Sequence, residues 1–224
     1  MIEVRQLSKV ITTQAGALSI LHDIDFTIKC GETVAILGTS GSGKTTLLGI
    51  LAGLDLPTTG EVMIDGASLG ALGEEARAAL RGHKIGFVFQ SFQLIPTFSA
   101  LENTLLPLEL NSHASTASLV QQATDLLGKV GLSQRLHHLP KQLSGGEQQR
   151  VAIARAFVRK PAILFADEPT GNLDKKTGQT VMDLLFDLNE TEQSTLVLVT
   201  HDEHLAARCQ RRLVLDEGRI VQQD

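Results

Sequence analysis

The sequence has few cysteines, with only Cys30 and Cys209 among its 224 residues. The two are far apart and have neither the spacing of a metal site nor that of a redox pair. We expect both to be ordinary packing residues in a reducing compartment. The sequence therefore offers no cysteine-based metal or redox centre.

Long apolar runs are also lacking. Ala162–Ala166 is one of the longest, far below the ~20 residues needed to cross a bilayer. Met1–Val4 shows no charged leader followed by an apolar core, so we expect no secretory signal. We expect any role at a membrane to depend on a partner protein.

The sequence has no basic excess, because its net charge is −5. Proteins that bind DNA or RNA usually carry such an excess on at least one segment. The nearest cluster is Arg208, Arg211 and Arg212, which we expect to complement the dipole of a helix end. Nucleic acid is not expected as a partner.

Apolar patterning predicts an α/β protein with an antiparallel start. The runs Val34–Leu37, Ala162–Phe165 and Leu196–Val199 are continuously apolar, which is typical of central parallel strands covered on both faces. Residues alternate between apolar and polar over Ile24–Ile28, which indicates a half-exposed antiparallel strand. The length suffices for one α/β core with a smaller lobe inserted.

Helical periodicity is strongest in the second half of the chain. Apolar residues form one stripe from Leu119 to Val130, and Gly131 is placed to end that helix. Two further helices are predicted around Val151–Val158 and Val181–Leu188.

No strand pattern occurs between about Ser91 and Gln142, so we interpret this stretch as part of an inserted helical lobe. We predict one domain over 1–224. Its α/β core with a β subdomain comprises 1–90 and 156–224, and its helical subdomain comprises 91–155.

The segment Gly38–Thr45 matches the phosphate-loop pattern G-x-x-x-x-G-K-[ST], between a buried strand and an apolar helix. Glycines let backbone N–H groups converge on phosphate oxygens, and the following helix points its positive end at the same anion. Lys44 supplies charge to the terminal phosphates, and the Thr45 hydroxyl can ligate Mg²⁺. The predicted nucleotide-binding residues here are Gly38, Thr39, Ser40, Gly41, Ser42, Gly43, Lys44, Thr45 and Thr46.

Two carboxylates follow the apolar run Ala162–Ala166. Asp167 is placed to hold Mg²⁺ through water, as in other phosphate-loop proteins. Glu168 is placed to polarise a water in line with the γ-phosphate, as a general base. The alternative is that Glu168 caps the segment that follows it.

The segment Leu143–Arg150 opens a helix, with Ser144 as N-cap and Glu147 completing a capping box. Gly145 and Gly146 in its first turn cost about 1 kcal/mol each relative to alanine. Their use is to expose backbone N–H groups to an anion that must come from elsewhere.

This segment, LSGGEQQR, resembles the signature of ATP-binding cassette (ABC) ATPases, and the other family motifs follow in order. The resemblance implies a P-loop NTPase (RecA-like) core with an N-terminal antiparallel β subdomain and an inserted α-helical subdomain. It makes Gln90 the glutamine that senses Mg²⁺ and the attacking water. By the same resemblance Gly171–Asp174 matches the D-loop, which would bring Asp174 to the nucleotide, and His201 matches the histidine that contacts the γ-phosphate.

The resemblance also implies a head-to-tail homodimer with ATP and Mg²⁺ as cofactors. The phosphate loop of one copy faces Ser144–Glu147 of the other, so that hydrolysis opens the dimer as a power stroke. The implied metal ligands are Thr45, Gln90 and Asp167.

Within the family, Phe87–Thr97 and Ala166–Asp174 resemble the MacB, LolD and FtsE group, and Glu74–Arg77, His138–Pro140 and Phe165 resemble its YbbA branch. The group implies a peripheral subunit on the cytoplasmic face of the inner membrane. Its partners are FtsX/MacB-type permeases with large periplasmic domains, acting on lipids, lipoproteins or hydrophobic compounds.

One family residue is absent. Relatives place an aromatic residue after the first strand, where it stacks on adenine, and the aligned residue here is Ile11. The chain has no Tyr or Trp, and no Phe precedes Phe26. An aliphatic side chain packs on the base without the stacking gain of about 1 kcal/mol, so we predict weak discrimination between ATP and GTP.

Three alternatives remain. A weakly hydrolysing FtsE-like scaffold or regulatory ATPase is disfavoured by the intact Glu168 and His201. A cytosolic cassette ATPase of DNA repair or translation would bring tandem cassettes, coiled coils, zinc motifs or basic extensions. An unrelated phosphate-loop kinase or GTPase is disfavoured by the signature and by the absence of an Asn-Lys-x-Asp motif.

Overall fold

A computed structural model describes residues 2–13, 16–110 and 115–224. The strands are β1 (Ile2–Thr13), β2 (Gly16–Ile28), β3 (Thr33–Leu37), β4 (Thr59–Ile64), β5 (Ala67–Ser68), β6 (Ile85–Phe89), β7 (Ile163–Asp167), β8 (Thr195–Val199), β9 (Arg211–Asp216) and β10 (Arg219–Gln223). The helices are α1 (Lys44–Leu51), α2 (Glu74–Lys84), α3 (Ala100–Glu109), α4 (Thr116–Lys129), α5 (Gly145–Phe157), α6 (Lys175–Glu192) and α7 (Glu203–Ala206), with a 3-10 turn at Pro140–Gln142.

The chain forms two compact units, one of Met1–Arg81 with Thr195–Asp224 and the other of Gly82–Ser194. The predicted subdomain boundaries at 91 and 155 stay a prediction. The predicted α/β fold class is confirmed.

The first unit contains an antiparallel sheet with strand order β2-β1-β4-β5. Ile24, Phe26 and Ile28 are buried while the residues between them are not, which confirms the predicted antiparallel strand. β2 starts at Gly16, well before the predicted Ile24. The sequence did not reveal this start, because Gly16–Ser19 is exposed and has no apolar periodicity.

The same unit contains four further strands in the order β10-β9-β3-β8. β3 is parallel to both of its neighbours, and Val34, Ala35 and Ile36 are fully buried, as the continuous apolar run predicts. Ile36 lies opposite Val199, so the segments that follow β3 and β8 leave the sheet at the same edge.

The second unit is built around α5, which packs against β6, α3, α4 and α6. β6 and β7 are parallel, with Phe89 opposite Asp167. One apolar cluster of this unit joins α3, α4 and the end of α5 through Leu105, Leu108, Leu119, Ala123 and Val158. Between Ser91 and Gln142 the described residues form no strand, so the predicted helical stretch is confirmed.

The three predicted helices are present as α4, α5 and α6. α4 ends at Lys129, and Gly131 follows with φ +75°, a left-handed backbone that favours glycine. α2, α7, β5 and β10 were not predicted. No residue of α2 is buried, and β10 is mostly exposed, so neither carries a clear apolar pattern.

Two smaller predictions are wrong. Cys30 is exposed in the turn between β2 and β3, so it is not a packing residue. Arg211 and Arg212 lie in β9 rather than at a helix end. The Arg211 Nη1 donates to the Thr27 carbonyl at 2.6 Å, and the Arg212 guanidinium pairs with Asp224 at 3.0 Å.

Across the described residues, every helix is too short or too polar to cross a lipid bilayer.

Candidate active site

The phosphate loop in the first unit turns tightly around its own lysine. Gly41 and Gly43 have φ of +82° and +101°, conformations that glycine adopts without strain. The Lys44 Nζ donates to the carbonyl oxygens of Gly38 and Thr39, both at 2.8 Å, and only 8% of the lysine is exposed. The loop thus presents its lysine and Thr45 at the start of α1, where free helix N–H groups favour an anion.

The turn between β9 and β10 is hydrogen-bonded to the phosphate loop. The Gly218 N–H donates to the Ser42 carbonyl at 3.2 Å, and the Gly218 carbonyl accepts from the His22 N–H at 2.8 Å. Gly218 has φ +74°, and a side chain there would collide with the Ile20 carbonyl. The sequence motifs did not point to Gly218. Its only signal was a glycine after Asp216-Glu217, which marks a hairpin turn.

His201 follows β8 on the same sheet edge as the phosphate loop. The Thr200 N–H donates to the Ile36 carbonyl at 3.2 Å, which fixes the end of β8 against β3. Asp202 caps α7 by accepting from the His204 N–H at 2.8 Å. His201 is exposed between these two anchors, so its ring can meet a ligand.

The acidic pair lies at the end of β7 in the second unit. Asp167 ends the strand opposite Phe89, so Asp167 and the exposed Gln90 leave neighbouring parallel strands at the same edge. Glu168 has φ +47°, an uncommon conformation for a residue other than glycine. The N-cap of α6 is Asp174. Glu168 therefore does not cap that helix.

The D-loop packs directly on Gln90. The Asn172 Nδ2 donates to the Gln90 carbonyl at 2.9 Å, and the Gln90 Nε2 lies 3.4 Å from the Asn172 Oδ1. A side chain on Gly171 would come within 2.6 Å of the Gln90 Nε2. Gln90 and the D-loop therefore form one hydrogen-bonded arrangement.

Asp174 has a local role in the structure. Its carboxylate accepts from the N–H groups of Lys176 and Thr177, both at 3.1 Å. Hydrogen bonds from Thr177 are the main cause that lowers the pKa of Asp174. Its predicted contact with a nucleotide stays a prediction.

The signature segment forms the capping box predicted for it. The Glu147 Oε2 accepts from the Ser144 N–H at 2.8 Å, and the Glu147 N–H donates to the Ser144 Oγ at 3.3 Å. Arg135 pairs with Glu147 at 3.1 Å. The Ser144 N–H is the main cause that lowers the pKa of the Glu147 carboxyl. Ser144 itself is exposed, so this helix start is open to an anion.

The signature glycines also have a packing role that the sequence did not reveal. A side chain on Gly146 would collide with the Thr177 methyl group of α6. One on Gly145 would lie 3.2 Å from a Leu173 methyl group. The two glycines therefore let α5 and the start of α6 approach closely.

Ile11 lies in β1 opposite Leu18 of β2. The two side chains are 42% and 55% exposed, so they form an apolar surface that is open to a ligand.

The predicted Mg²⁺ ligands have the right chemistry. The Thr45 hydroxyl, the Gln90 amide oxygen and the Asp167 carboxylate are all hard oxygen donors. Within the described ranges no three His, Cys, Asp or Glu residues cluster as a metal cage. Mg²⁺ needs no such cage, because it usually takes one or two protein oxygens together with phosphates and water.

Comparison with known proteins assigns the chain to a family. The family model described as ABC transporter matches residues 21–171. The chain is 54% identical to the ABC transporter ATP-binding protein YbbA of Escherichia coli, over 99% of this chain and 97% of that protein. It is 49% identical to the lipoprotein-releasing system ATP-binding protein LolD of Psychrobacter arcticus, over 95% of this chain and 94% of that protein.

A solved structure agrees in fold over the whole chain. The dimeric ATP-binding cassette MJ0796, bound to ADP and Pi in a post-hydrolysis state, matches with a TM-score of 0.93 at 41% identity, over 100% of this chain and 98% of that one. The predicted resemblance to ABC ATPases and to the YbbA branch is confirmed. The chain belongs to the ABC transporter family, as one of its ATP-binding and ATP-hydrolysing subunits.

Proposed function

We propose that this ATPase drives a separate MacB/LolC-like membrane permease that acts on lipids, lipoproteins or hydrophobic compounds. The observation that carries the proposal is the 46–49% identity to LolD proteins over nearly the whole chain, since their name describes a lipoprotein-releasing system. We propose the cytoplasmic face of the inner membrane as the location, where the permease would hold the subunit.

The reaction is hydrolysis of the γ-phosphate of ATP. Lys44 and the loop N–H groups bind the phosphates, and His201 contacts the γ-phosphate. Glu168 takes a proton from the attacking water as general base. Thr45, Asp167 and Gln90 would hold Mg²⁺, which when bound neutralises charge on the phosphate oxygens.

The working unit is a head-to-tail dimer of two copies. Ser144 to Glu147 of one copy meets the ATP held by the phosphate loop of the other. The dimeric structures of the MJ0796 cassette support this arrangement. The open N-terminus of α5, exposed at Ser144, has the chemistry to bind a phosphate group brought by a second chain.

The test uses the chain and a MacB/LolC-like permease from the same cell, purified together in lipid nanodiscs. We expect the permease to raise ATP turnover several-fold and to bind the Glu168→Gln chain more tightly with ATP than without it. The Lys44→Ala chain, which lacks the phosphate-binding charge, is the control that shows no ATP-dependent binding.

Two outcomes would redirect the proposal. Binding to the permease with no change in turnover favours the FtsE-like scaffold. No binding to any permease of this class refutes the proposed partner, while the ATPase assignment stands.

A further inference from the structure

The segment that follows Gln90 turns sharply through two residues in left-handed conformations. Phe92 has φ +59° and Gln93 has φ +49°. The Gln93 N–H donates to the Ser91 carbonyl at 2.6 Å, which closes a three-residue turn around Phe92. A turn of this kind with a positive central φ is rare and strained. Two adjacent strained residues persist only if their surroundings hold them there.

One arginine of α5 holds both strained residues. The Arg155 Nη1 donates to the Gln93 carbonyl at 2.6 Å, and its Nη2 donates to the Phe92 carbonyl at 2.8 Å. The rigid fork of a guanidinium suits two acceptors at neighbouring positions. Partial burial lowers the pKa of the Arg155 guanidinium.

A second arginine, in the turn just after α5, gives a natural comparison. The Arg159 Nη1 donates to the Pro107 carbonyl of α3 at 3.0 Å, and its Nη2 lies 3.4 Å from the His83 ring. Arg159 thus also donates to a backbone carbonyl, but that carbonyl belongs to helix α3 and not to the strained turn.

We propose that Arg155 is a positioning residue for Gln90. By bonding the carbonyl groups of Phe92 and Gln93, it keeps the strained turn closed and fixes the backbone that presents the Gln90 side chain. The same helix begins at the signature, so displacement of α5 is passed to Gln90 through the guanidinium. The inference rests on the proposed role of Gln90 in ATP hydrolysis.

The first test compares Arg155→Met with Arg159→Met in the full chain. Amide hydrogen exchange is measured over residues 88–96, and ATP hydrolysis is measured for kcat and KM. In Arg155→Met we expect exchange in the turn to be at least about ten-fold faster. We expect kcat to fall about ten-fold with KM for ATP within about two-fold, because the phosphate loop is untouched. Arg159→Met should change neither quantity.

A rescue variant separates positioning from general damage. Glycine adopts positive φ without strain, so Gln93→Gly should hold the turn without help. In the Arg155→Met background we expect it to recover at least about three-fold in kcat. The kcat of the single variant Gln93→Gly should stay within about two-fold of the kcat of the unmodified chain.

A milder variant covers the case in which Arg155→Met does not fold. Arg155→Lys keeps a charge but presents a single point donor, so it should give an intermediate exchange rate and kcat. Unchanged exchange in a folded Arg155 variant, or failure of Gln93→Gly to rescue, overturns the proposal. Normal turnover in Gln90→Ala would instead refute the role of Gln90, and the exchange measurement would still decide whether Arg155 holds the turn.

Discussion

Glu168, the predicted general base, has an unusual backbone conformation. It directly follows Asp167 and has φ +47°, and its carbonyl accepts from the Gly171 N–H at 3.0 Å. Strained non-glycine residues concentrate at functional sites, where the surrounding structure holds them. The strained backbone therefore fits the predicted role of Glu168 as general base.

Replacing this carboxylate tests its role. We expect Glu168→Gln to retain ATP binding and to lose hydrolysis by at least about 100-fold, because an amide cannot take the proton of water. Phosphate release and equilibrium ATP binding are the measurements. Glu190→Gln, which changes an exposed glutamate on α6, is the matched control and should behave as the unmodified chain does. Turnover near normal in Glu168→Gln would refute the assignment of the base.

Ile11 is predicted to stand where related ATPases place an aromatic residue against adenine. Ile11→Tyr should lower KM for ATP about five-fold, which corresponds to a stacking gain of about 1 kcal/mol. The unmodified chain should hydrolyse GTP with kcat/KM within about five-fold of the value for ATP, and Ile11→Tyr should widen that gap.

The control for Ile11 is its neighbour. Val10→Tyr adds the same ring on the opposite face of the strand, because successive strand residues alternate in direction. Strong selectivity for ATP in the unmodified chain would show that other residues read the base.

The first turn of α5 must satisfy two requirements, which are helix capping and close packing against α6. Ser144 and Glu147 cap the helix, while Gly146 lets Thr177 of α6 approach. Alanine in place of Gly146 would gain about 1 kcal/mol in helix propensity. Its methyl group would meet the stiff, β-branched Thr177, and overpacking of this kind costs about 1–3 kcal/mol.

We therefore expect Gly146→Ala to lower the free energy of unfolding by about 1 kcal/mol, within a net range of about 0–2 kcal/mol, as measured by urea denaturation. Thr177→Ser removes the colliding methyl group and keeps the hydroxyl. The double variant Gly146→Ala with Thr177→Ser should be at least as stable as Thr177→Ser alone, because only the propensity gain remains. A stabilising Gly146→Ala would show that α6 yields to the added methyl.

Patterns confined to one element were predictable from the sequence. β3, β7 and β8 follow from continuous apolar runs, and α4 follows from its stripe and from Gly131. Exposed elements such as α2 were not predictable, because burial is what creates a hydrophobic pattern.

Motif residues were predictable for a different reason. Phosphate chemistry demands glycines and a lysine in fixed order, so Gly38–Thr45 stands out in any context. The contacts that support the motifs join distant segments, as Gly146 with Thr177 or Arg155 with Gln93, and no spacing in one sequence encodes them.

For the whole molecule, the decisive question is whether each ATP is shared by two chains. Lys44→Ala damages the phosphate loop, and Ser144→Arg blocks the signature. Each variant alone should have almost no turnover. In a head-to-tail dimer an equal mixture should recover up to about a quarter of normal turnover, because half of the dimers are mixed and each has one intact site.

The mixture is measured by phosphate release at fixed total protein. A double variant with both changes in one chain, mixed with Lys44→Ala, is the control and should stay inactive. If Lys44→Ala and Ser144→Arg do not complement each other, each ATP site is complete within one chain.

The strand that carries the phosphate loop has a further consequence for synthesis of the protein. β3 lies between β8 and β9, and the Ser42 carbonyl is held by the Gly218 N–H. A growing chain on the ribosome therefore exposes Gly38–Thr45 long before the flanking strands exist, and such distant pairing forms late. A product truncated before residue 218 carries every motif from Gly38 to His201 and still lacks the support for its nucleotide loop. We therefore expect ATP to stabilise such a truncated product less than it stabilises the full chain.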